Sequence, residues 1–409
     1  MVTIVRAKKV VTMDGLPIEN GAVAIDGNRI TAVGPWTDLK SIGAAEIFDL
    51  GEIALLPGLI NSHCHLDFTV LAGRLKPQRS FADWIRQIIS ARNELSSEDY
   101  LASISAGIAE ARRWGTTSIL NIESLPTLLS QMPRPSLRIG WFAELIDVQP
   151  RCSSEALVEN TISFFEGKTD WLGGFGLSPH APYTVSLELL RKAIAVAQRD
   201  NLRLTMHLAE SAEEMQMFRD GCGPLFELLQ GLGRSMEDCQ AGKTPLAVAL
   251  DHATLDERWV IAHLNELTED DFERLARGPR FHIAHCPCSA RYFQHQPFAL
   301  RRLLDLGFNI CLGTDSLASN SSLSLFAEMR ALQHAHSWLE AQKILQMVTV
   351  NGARALGSES SLGRIRAGSY ADLIAIPIEG GKDVYEQIIE FDQEVAWMLL
   401  DGQLCPKLR

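Results

Sequence analysis

The feature that most constrains the fold is a series of eight short apolar runs, each of which ends in polar or small residues. Between residues 55 and 316 they read LLPGLINSHCH, TTSILNIES, LRIGWFAELID, LGGFGLSPHA, LRLTMHLAES, RWVIAHLNE, FHIAHCPCS and FNICLGTDS. Runs of this length and composition predict β-strands. Between them lie segments with apolar residues at helical spacing, such as SLELLRKAIAVAQRDN, in which Ser186 can cap the first turn.

The alternation of strands and helices predicts a parallel sheet, and eight rounds of it predict a closed (β/α)8 TIM barrel. In such barrels the active site lies at the C-terminal ends of the strands. The polar residues that end the eight runs are therefore the candidates for a functional site.

The two ends of the chain have a different pattern. Residues 1–56 contain VTIVRAKKVVTM and GAVAIDGNRITAVG, and residues 362–409 contain SYADLIAIPIEG and EVAWMLLDG. These segments predict short β-strands joined by turns with Gly and Asp. We therefore predict a barrel over residues 57–361 and one small, discontinuous β-sandwich domain built from residues 1–56 and 362–409.

Charge and composition narrow the class of partner. The net charge is −12, and acidic and basic residues are interspersed without a basic stripe, which argues against nucleic acid and a membrane surface as partners. The eight cysteines form no CxxC pair, and the start of the sequence does not resemble a secretory signal, so we expect a cytoplasmic protein with reduced thiols. We expect a small-molecule substrate, and base rates favour a homodimer.

The first apolar run ends in two histidines, His63 and His65. Side chains alternate along a strand, so both imidazoles face the same side. His207 is near the end of the fifth run, and Asp315 follows the eighth. Three imidazoles and a carboxylate suit one divalent ion, for which zinc is favoured and iron or manganese is tolerated.

Two further side chains lie at the same end of the predicted barrel. Glu210 follows His207 by three residues, and His263 ends the sixth run. Beside a metal, a carboxylate can move a proton between water and a leaving atom, and a histidine can orient the water. Each also has a structural interpretation, as a glutamate in the first turn of a helix and as a packed histidine.

Six motifs occur in order along nearly the whole chain: PGLINSHCHLD, HLAES, AHLNEL, HCPCS, GTDSLASN and LGRIRAGSYADL. This set resembles the metal-dependent amidohydrolase superfamily, in the branch that contains cytosine, guanine and S-adenosylhomocysteine deaminases and the triazine hydrolases. The resemblance implies the following roles: metal ligands His63, His65, His207 and Asp315; proton-handling residues Glu210, His263 and Asp315; and substrate contacts His180 and Trp84.

The chain departs from the family at one motif. Members commonly carry HCPxSNxxL, whereas this chain reads HCPCSARYF, with Ala290 in place of the usual Asn and Arg291 beside it. The departure affects the pocket beside the metal rather than the metal ligands. His285, at the head of the motif, is either a support for the metal centre or a substrate contact.

The resemblance implies hydrolytic deamination, without an organic cofactor, of an amino-substituted purine base or nucleoside. The chain is most similar to aminodeoxyfutalosine deaminases, which act on the 6-amino group of an adenine-derived compound. S-adenosylhomocysteine, methylthioadenosine, adenosine, guanine and pterins are alternative substrates. Residues 211–258 are expected to cover the pocket.

Three other functions are compatible with parts of the pattern. Two-metal cyclic amidases bridge their metals with a modified lysine near the end of the fourth strand, but GGFGLSPHA contains no lysine and Lys168 precedes it. Triazine hydrolases use the same site with chloride or an alkylamine as the leaving group. An inactive scaffold is the least favoured alternative because the ligand set is complete.

Overall fold

The computed structural model describes residues 2–76, 78–149, 152–168, 171–239 and 242–406. The strands in these ranges are β1 (Val2–Val10), β2 (Ile18–Asp26), β3 (Arg29–Pro35), β4 (Glu46–Asp49), β5 (Ile53–Pro57), β6 (Leu59–Cys64), β7 (Thr116–Glu123), β8 (Arg138–Leu145), β9 (Gly173–Pro179), β10 (Leu204–Leu208), β11 (Trp259–His263), β12 (His282–His285), β13 (Asn309–Leu312), β14 (Leu373–Pro377), β15 (Trp397–Leu400) and β16 (Gln403–Leu404).

The α-helices in the same ranges are α1 (Trp36–Leu39), α2 (Phe81–Asn93), α3 (Ser97–Arg113), α4 (Ser154–Glu166), α5 (Leu187–Arg199), α6 (Ala212–Asp220), α7 (Pro224–Gly231), α8 (Pro245–His252), α9 (Glu269–Arg277), α10 (Pro287–Phe293), α11 (Leu300–Asp305), α12 (Leu325–Ala335), α13 (Ala341–Met347), α14 (Val350–Ala355) and α15 (Val384–Glu390). Short 3-10 helices span Leu66–Leu71, Pro126–Gln131 and Glu237–Cys239. None of the described helices is long and apolar enough to cross a membrane.

Strands β6 to β13 form one eight-stranded sheet in sequential order, and each predicted apolar run supplies one of these strands. The predicted (β/α)8 barrel is therefore confirmed. The first and last strands meet where the backbone N–H groups of Thr314 and Asp315 both donate to the carbonyl of His63, at 3.1 Å. Gly313 permits this approach, because a Cβ there would lie 2.6 Å from the Cβ of His63.

The barrel strands have the burial expected of a parallel sheet covered on both faces. Every residue of β6, β7, β10, β11 and β12 is buried. Several of the helices that follow begin at polar caps, and the sequence predicts the one at Ser186. Ser186 accepts from the N–H of Leu189 at the start of α5, and Thr268 forms a capping box with Asp271 at the start of α9.

Both ends of the chain contribute to a second sheet, with the order β16-β15-β14-β5-β1-β2-β3, and β4 also pairs with β1. The predicted small β-domain built from both termini is thus confirmed as one connected mixed sheet. The two ends connect because β5 pairs with β14, antiparallel, and also with β1 through Lys9 and Val10. β4 pairs with β1 through Thr3–Arg6. Its core contains Val5, Val23 and Leu373.

The chain divides into two compact units. One comprises Met1–Ser62, Ala109–Ile119 and Ser324–Arg409, and the other comprises His63–Ile108 and Leu120–Leu323. The domain boundaries after residues 56 and 361 stay a prediction. All of the candidate site residues lie in the second unit.

Candidate metal centre and active site

The four side chains predicted to bind a metal are buried and lie together at the C-terminal ends of their strands. His63 is in β6, His65 directly follows it, His207 is in β10, and Asp315 lies three residues after β13. The ring centroid of His63 is 5.1 Å from that of His65 and 4.9 Å from that of His207. The structure therefore brings residues that are far apart in the sequence into one cluster.

The distances between the donor atoms fit a metal ion. Nε2 of His65 is 3.2 Å from Nε2 of His207. Two imidazole nitrogens on a tetrahedral zinc are separated by roughly 3.3 Å when each Zn–N bond is about 2.0–2.1 Å. Oδ1 of Asp315 lies 3.8 Å from Nε2 of His63 and 3.9 Å from Nε2 of His65. Three nitrogen donors and one oxygen donor suit a borderline divalent ion.

Two serines orient the carboxylate of Asp315. The hydroxyls of Ser289 and Ser319 donate to Oδ2, at 2.6 and 2.9 Å, which leaves Oδ1 directed toward the histidines. Burial opposes ionisation of this carboxyl, but the neighbouring His263 and His63 outweigh burial and hold the pKa of Asp315 below its usual value. The ionised form is the one that can bind a cation or accept a proton.

The environment of His207 fixes which ring nitrogen is available to a metal. Nδ1 of His207 lies 3.1 Å from the carbonyl oxygen of His180, so Nδ1 carries the proton and Nε2 is the nitrogen available to a metal. Burial, followed by the neighbouring His180, lowers the pKa of His207 to about 4. The imidazole is therefore neutral at physiological pH, as metal binding requires.

A second cluster of donor atoms adjoins the first. One ligand atom from each of Glu210, His263 and Asp315 lies within 4.8 Å of the others, and Oε1 of Glu210 is 3.7 Å from Nε2 of His263. Burial, followed by the charges of Asp315 and Glu214, raises the pKa of Glu210 well above its usual value. A protonated Glu210 can donate a proton to a substrate held between these residues.

The sequence did not identify the residues that hold Glu210 in place. The carboxylate of Glu214 accepts the backbone N–H groups of Ala209 and Glu210, at 3.1 and 2.7 Å, and Nδ2 of Asn265 donates to the carbonyl of Glu210. Ala209, whose backbone N–H takes part in these hydrogen bonds, has a left-handed backbone conformation, with φ of 50°. The available signal was a glutamate four residues after Glu210 in HLAESAEE.

A cavity of about 370 Å³ opens onto both clusters, and Trp84 and His180 line it. Nε1 of Trp84 donates to the carbonyl of Ala318 at 3.4 Å, and Nδ1 of His180 is 2.7 Å from Oγ1 of Thr184. Two charged residues that the sequence did not identify, Arg92 and Glu144, also line this cavity. Neither belongs to a motif, so no local signal marked them.

The segment expected to cover the pocket contributes apolar side chains to it. Leu225, Leu228 and Leu229 of α7 and Leu232 line the cavity. Gln240 and Ala241, within the predicted covering segment, lie outside the described residues.

Comparison with known proteins identifies the family. The model of the amidohydrolase family matches residues 54–404, and a model described as the bacterial imidazolonepropionase-like composite domain matches residues 21–41. The 5-methylthioadenosine/S-adenosylhomocysteine deaminase of Pyrococcus furiosus is 30% identical over 390 residues, which cover 91% of this chain and 86% of that protein.

Two solved structures have the same fold. A zinc-bound adenosine deaminase from Xanthomonas campestris has a TM-score of 0.83 and 24% identity, over 98% of this chain and 92% of that chain. Helicobacter pylori aminofutalosine deaminase, in complex with methylthio-coformycin, has a TM-score of 0.85 and 22% identity, over 99% of this chain and 100% of that chain. The resemblance and the class it implies, a hydrolase acting on C–N bonds, are confirmed. The family match, which spans the barrel and its flanking strands, shows that the chain belongs to the amidohydrolase family.

Proposed function

We propose that this protein is a metal-dependent hydrolytic deaminase that releases ammonia from an aminopurine nucleoside. The observation that carries the proposal is the convergence of Glu210, His263 and Asp315 beside three histidines at one cavity. This arrangement supplies a metal-binding set together with a proton donor and a proton acceptor. The name of the Pyrococcus relative, an adenosine-type deaminase, supports the same reaction.

We assign one divalent ion, with zinc favoured, to His63, His65, His207 and Asp315. The donor set and the 3.2 Å separation of two histidine nitrogens support this assignment. When bound, such an ion supplies Lewis acidity, which in zinc hydrolases lowers the pKa of water to about 7.

The protein side chains divide the proton transfers between them. Asp315 accepts a proton from the attacking water, His263 orients that water, and Glu210 donates its proton to the ring nitrogen next to the carbon under attack. The proton held by Asp315 then passes to the amino group, the C–N bond breaks, and ammonia leaves. The hydroxyl on the same carbon gives its proton to Glu210, which restores the neutral carboxyl group and forms the carbonyl. The carbon retains the oxygen of water, so the products are the oxo-purine nucleoside and ammonia.

The substrate is an adenosine-type nucleoside, and we assign contacts with it to His180 and Trp84. Both side chains line the cavity, and His180 lies beside His207. The sequence favours aminodeoxyfutalosine, whereas the name of the Pyrococcus relative favours adenosines with a 5′-thio substituent. Both compounds carry a 5′ substituent on the nucleoside. A homodimer and a cytoplasmic location stay predictions.

Ammonia release from the purified, zinc-loaded protein tests the proposal. The panel is aminodeoxyfutalosine, S-adenosylhomocysteine, methylthioadenosine, adenosine, guanine and a triazine. We expect at least one purine nucleoside to react with kcat/KM above about 10⁴ M⁻¹s⁻¹, the low end for enzymes and their substrates. Glu188→Gln, at an exposed position on α5, is the matched control for Glu210→Gln. No ammonia from any purine with metal bound would contradict the proposal.

A further inference from the structure

The cavity contains one arginine to which the proposed mechanism assigns no role. Arg92, in the last turn of α2, is the only lysine or arginine among the described residues that line it. Its charge lowers the pKa values of Asp67 and Glu144 against the larger effect of their burial. Yet no hydrogen bond or ion pair of the Arg92 side chain joins it to another residue in the described ranges.

The position of Arg92 relative to the metal ligands indicates which part of a substrate would reach it. Phe68 stacks on His65, with ring centroids 5.5 Å apart, and Cζ of Arg92 is 5.3 Å from the centroid of Phe68. Arg92 therefore lies beyond the side chain that covers a metal ligand, and no farther than about 11 Å from the ring of His65. With the reacting carbon at the metal centre, a nucleoside whose sugar extends past Phe68 would bring its 5′ substituent to Arg92.

The space around Arg92 can hold a substituent larger than a methylthio group. A second cavity, of about 320 Å³, shares Phe68, Ile89 and Arg92 with the first, so these residues border both. Leu225, Leu228 and Leu229 of α7 also line the first cavity. A tail with an apolar linker and one anionic end matches this combination of apolar walls and a single cation.

We propose that Arg92 is a specificity-determining residue that binds a carboxylate on the 5′ substituent of an adenosine-type substrate. The inference rests on the proposed function and specifies its substrate class. A guanidinium binds a planar carboxylate through two parallel hydrogen bonds. A phosphate dianion suits the site less well, because Glu144 and Asp67 lie nearby and Arg92 is the single cation.

Two substrates that differ in the tail test the proposal in the zinc-loaded protein. S-adenosylhomocysteine carries a carboxylate on its 5′-thio substituent, whereas methylthioadenosine ends in a methyl group. We expect kcat/KM to favour S-adenosylhomocysteine, and Arg92→Met to reduce this preference by roughly 10- to 100-fold, as for loss of a charged hydrogen bond. Arg86→Met is the matched control, because Arg86 is on the same helix but is exposed and pairs with Asp83.

A change in the ligand tests the same contact without altering the protein. The methyl ester of S-adenosylhomocysteine lacks the anionic end, so the unsubstituted enzyme should lose the preference for it. Arg92→Met should show little further loss when the ester replaces the acid. If Arg92→Met folds poorly, the comparison of the acid with its ester in the unsubstituted enzyme still tests the contact.

The outcomes separate the two proposals. If no purine nucleoside releases ammonia, the proposed function fails. If methylthioadenosine reacts as well as S-adenosylhomocysteine and its ester, the role of Arg92 is overturned while deamination stands. An equal change of preference in Arg92→Met and Arg86→Met would also overturn it, because a general loss of charge on α2 would then be sufficient.

Discussion

Replacement of Glu214 by glutamine is the sharpest test of how the active site is held together. The carboxylate of Glu214 accepts two backbone N–H groups, from Ala209 at 3.1 Å and from Glu210 at 2.7 Å. A glutamine side chain offers one oxygen, and its NH₂ group would face the other N–H donor. Burial raises the pKa of Glu214 to about 7, so its carboxylate is mostly ionised in an assay above about pH 8. A hydrogen bond to a charged group contributes about 1.5–3 kcal/mol, so Glu214→Gln should lose roughly this amount of the stabilisation of the Ala209–Glu210 backbone.

If the loss of these hydrogen bonds displaces Glu210, the proposed proton donor, the chemical step becomes slower. About 1.4 kcal/mol corresponds to tenfold in rate, so we expect kcat to fall by roughly 10- to 100-fold. KM should change little, because Glu214 does not line the cavity. Steady-state kinetics with measured metal content checks this, with Glu188→Gln as the control. A kcat within twofold of the unsubstituted enzyme, at equal metal content, would refute the positioning role.

Three further predictions concern single side chains. Glu210→Gln cannot donate the carboxylic proton, so kcat should fall by about 10²- to 10⁴-fold while metal content, measured by atomic emission, stays constant; loss of the metal would contradict this role. Asp315→Asn removes both an anionic ligand and the base, so turnover and bound zinc should fall together, and normal turnover would refute the assignment. Burial, followed by Asp67, raises the pKa of Glu123 to about 8. The neutral form of Glu123 therefore stabilises the fold below the unfolded pKa, and this contribution is lost as the pH rises through about 8. Thermal unfolding at pH 6 and 9 should show a larger drop in Tm for the unsubstituted protein than for Glu123→Gln, and equal drops would contradict this.

The meeting of the residues to which we assign the metal could be predicted, because it depends on local patterns and one rule of topology. His63, His65 and His207 each lie at the end of an apolar run, and a parallel barrel brings the ends of its strands to one face. Neither step requires knowledge of side-chain packing. The strand pattern alone therefore predicted which distant residues would meet.

The residues that support or extend the site could not be predicted in this way. Arg92 is on a helix and Glu144 on a strand, and their approach to one cavity depends on where α2 packs. The same limit applies to the terminal sheet. Residue composition and the turns with Gly and Asp identified its strands. The pairing of β1 with both β4 and β5 depends on hydrogen-bond register, which these signals do not specify.

The unusual HCPCSARYF motif shows how a family site can vary around a constant centre. Its serine, Ser289, donates to Asp315 at 2.6 Å, so this part of the motif directly supports the metal-binding set. His285 stacks on Phe298, with ring centroids 3.9 Å apart, and is not in either cluster of donor atoms. Arg291, beside the Ala290 substitution, is exposed. The departure therefore leaves the support of Asp315 intact. Phe293, which ends the motif, packs on Trp84 of α2 with ring centroids 4.8 Å apart, so differences in substrate preference are better sought where the motif meets α2 at the cavity, and at α7.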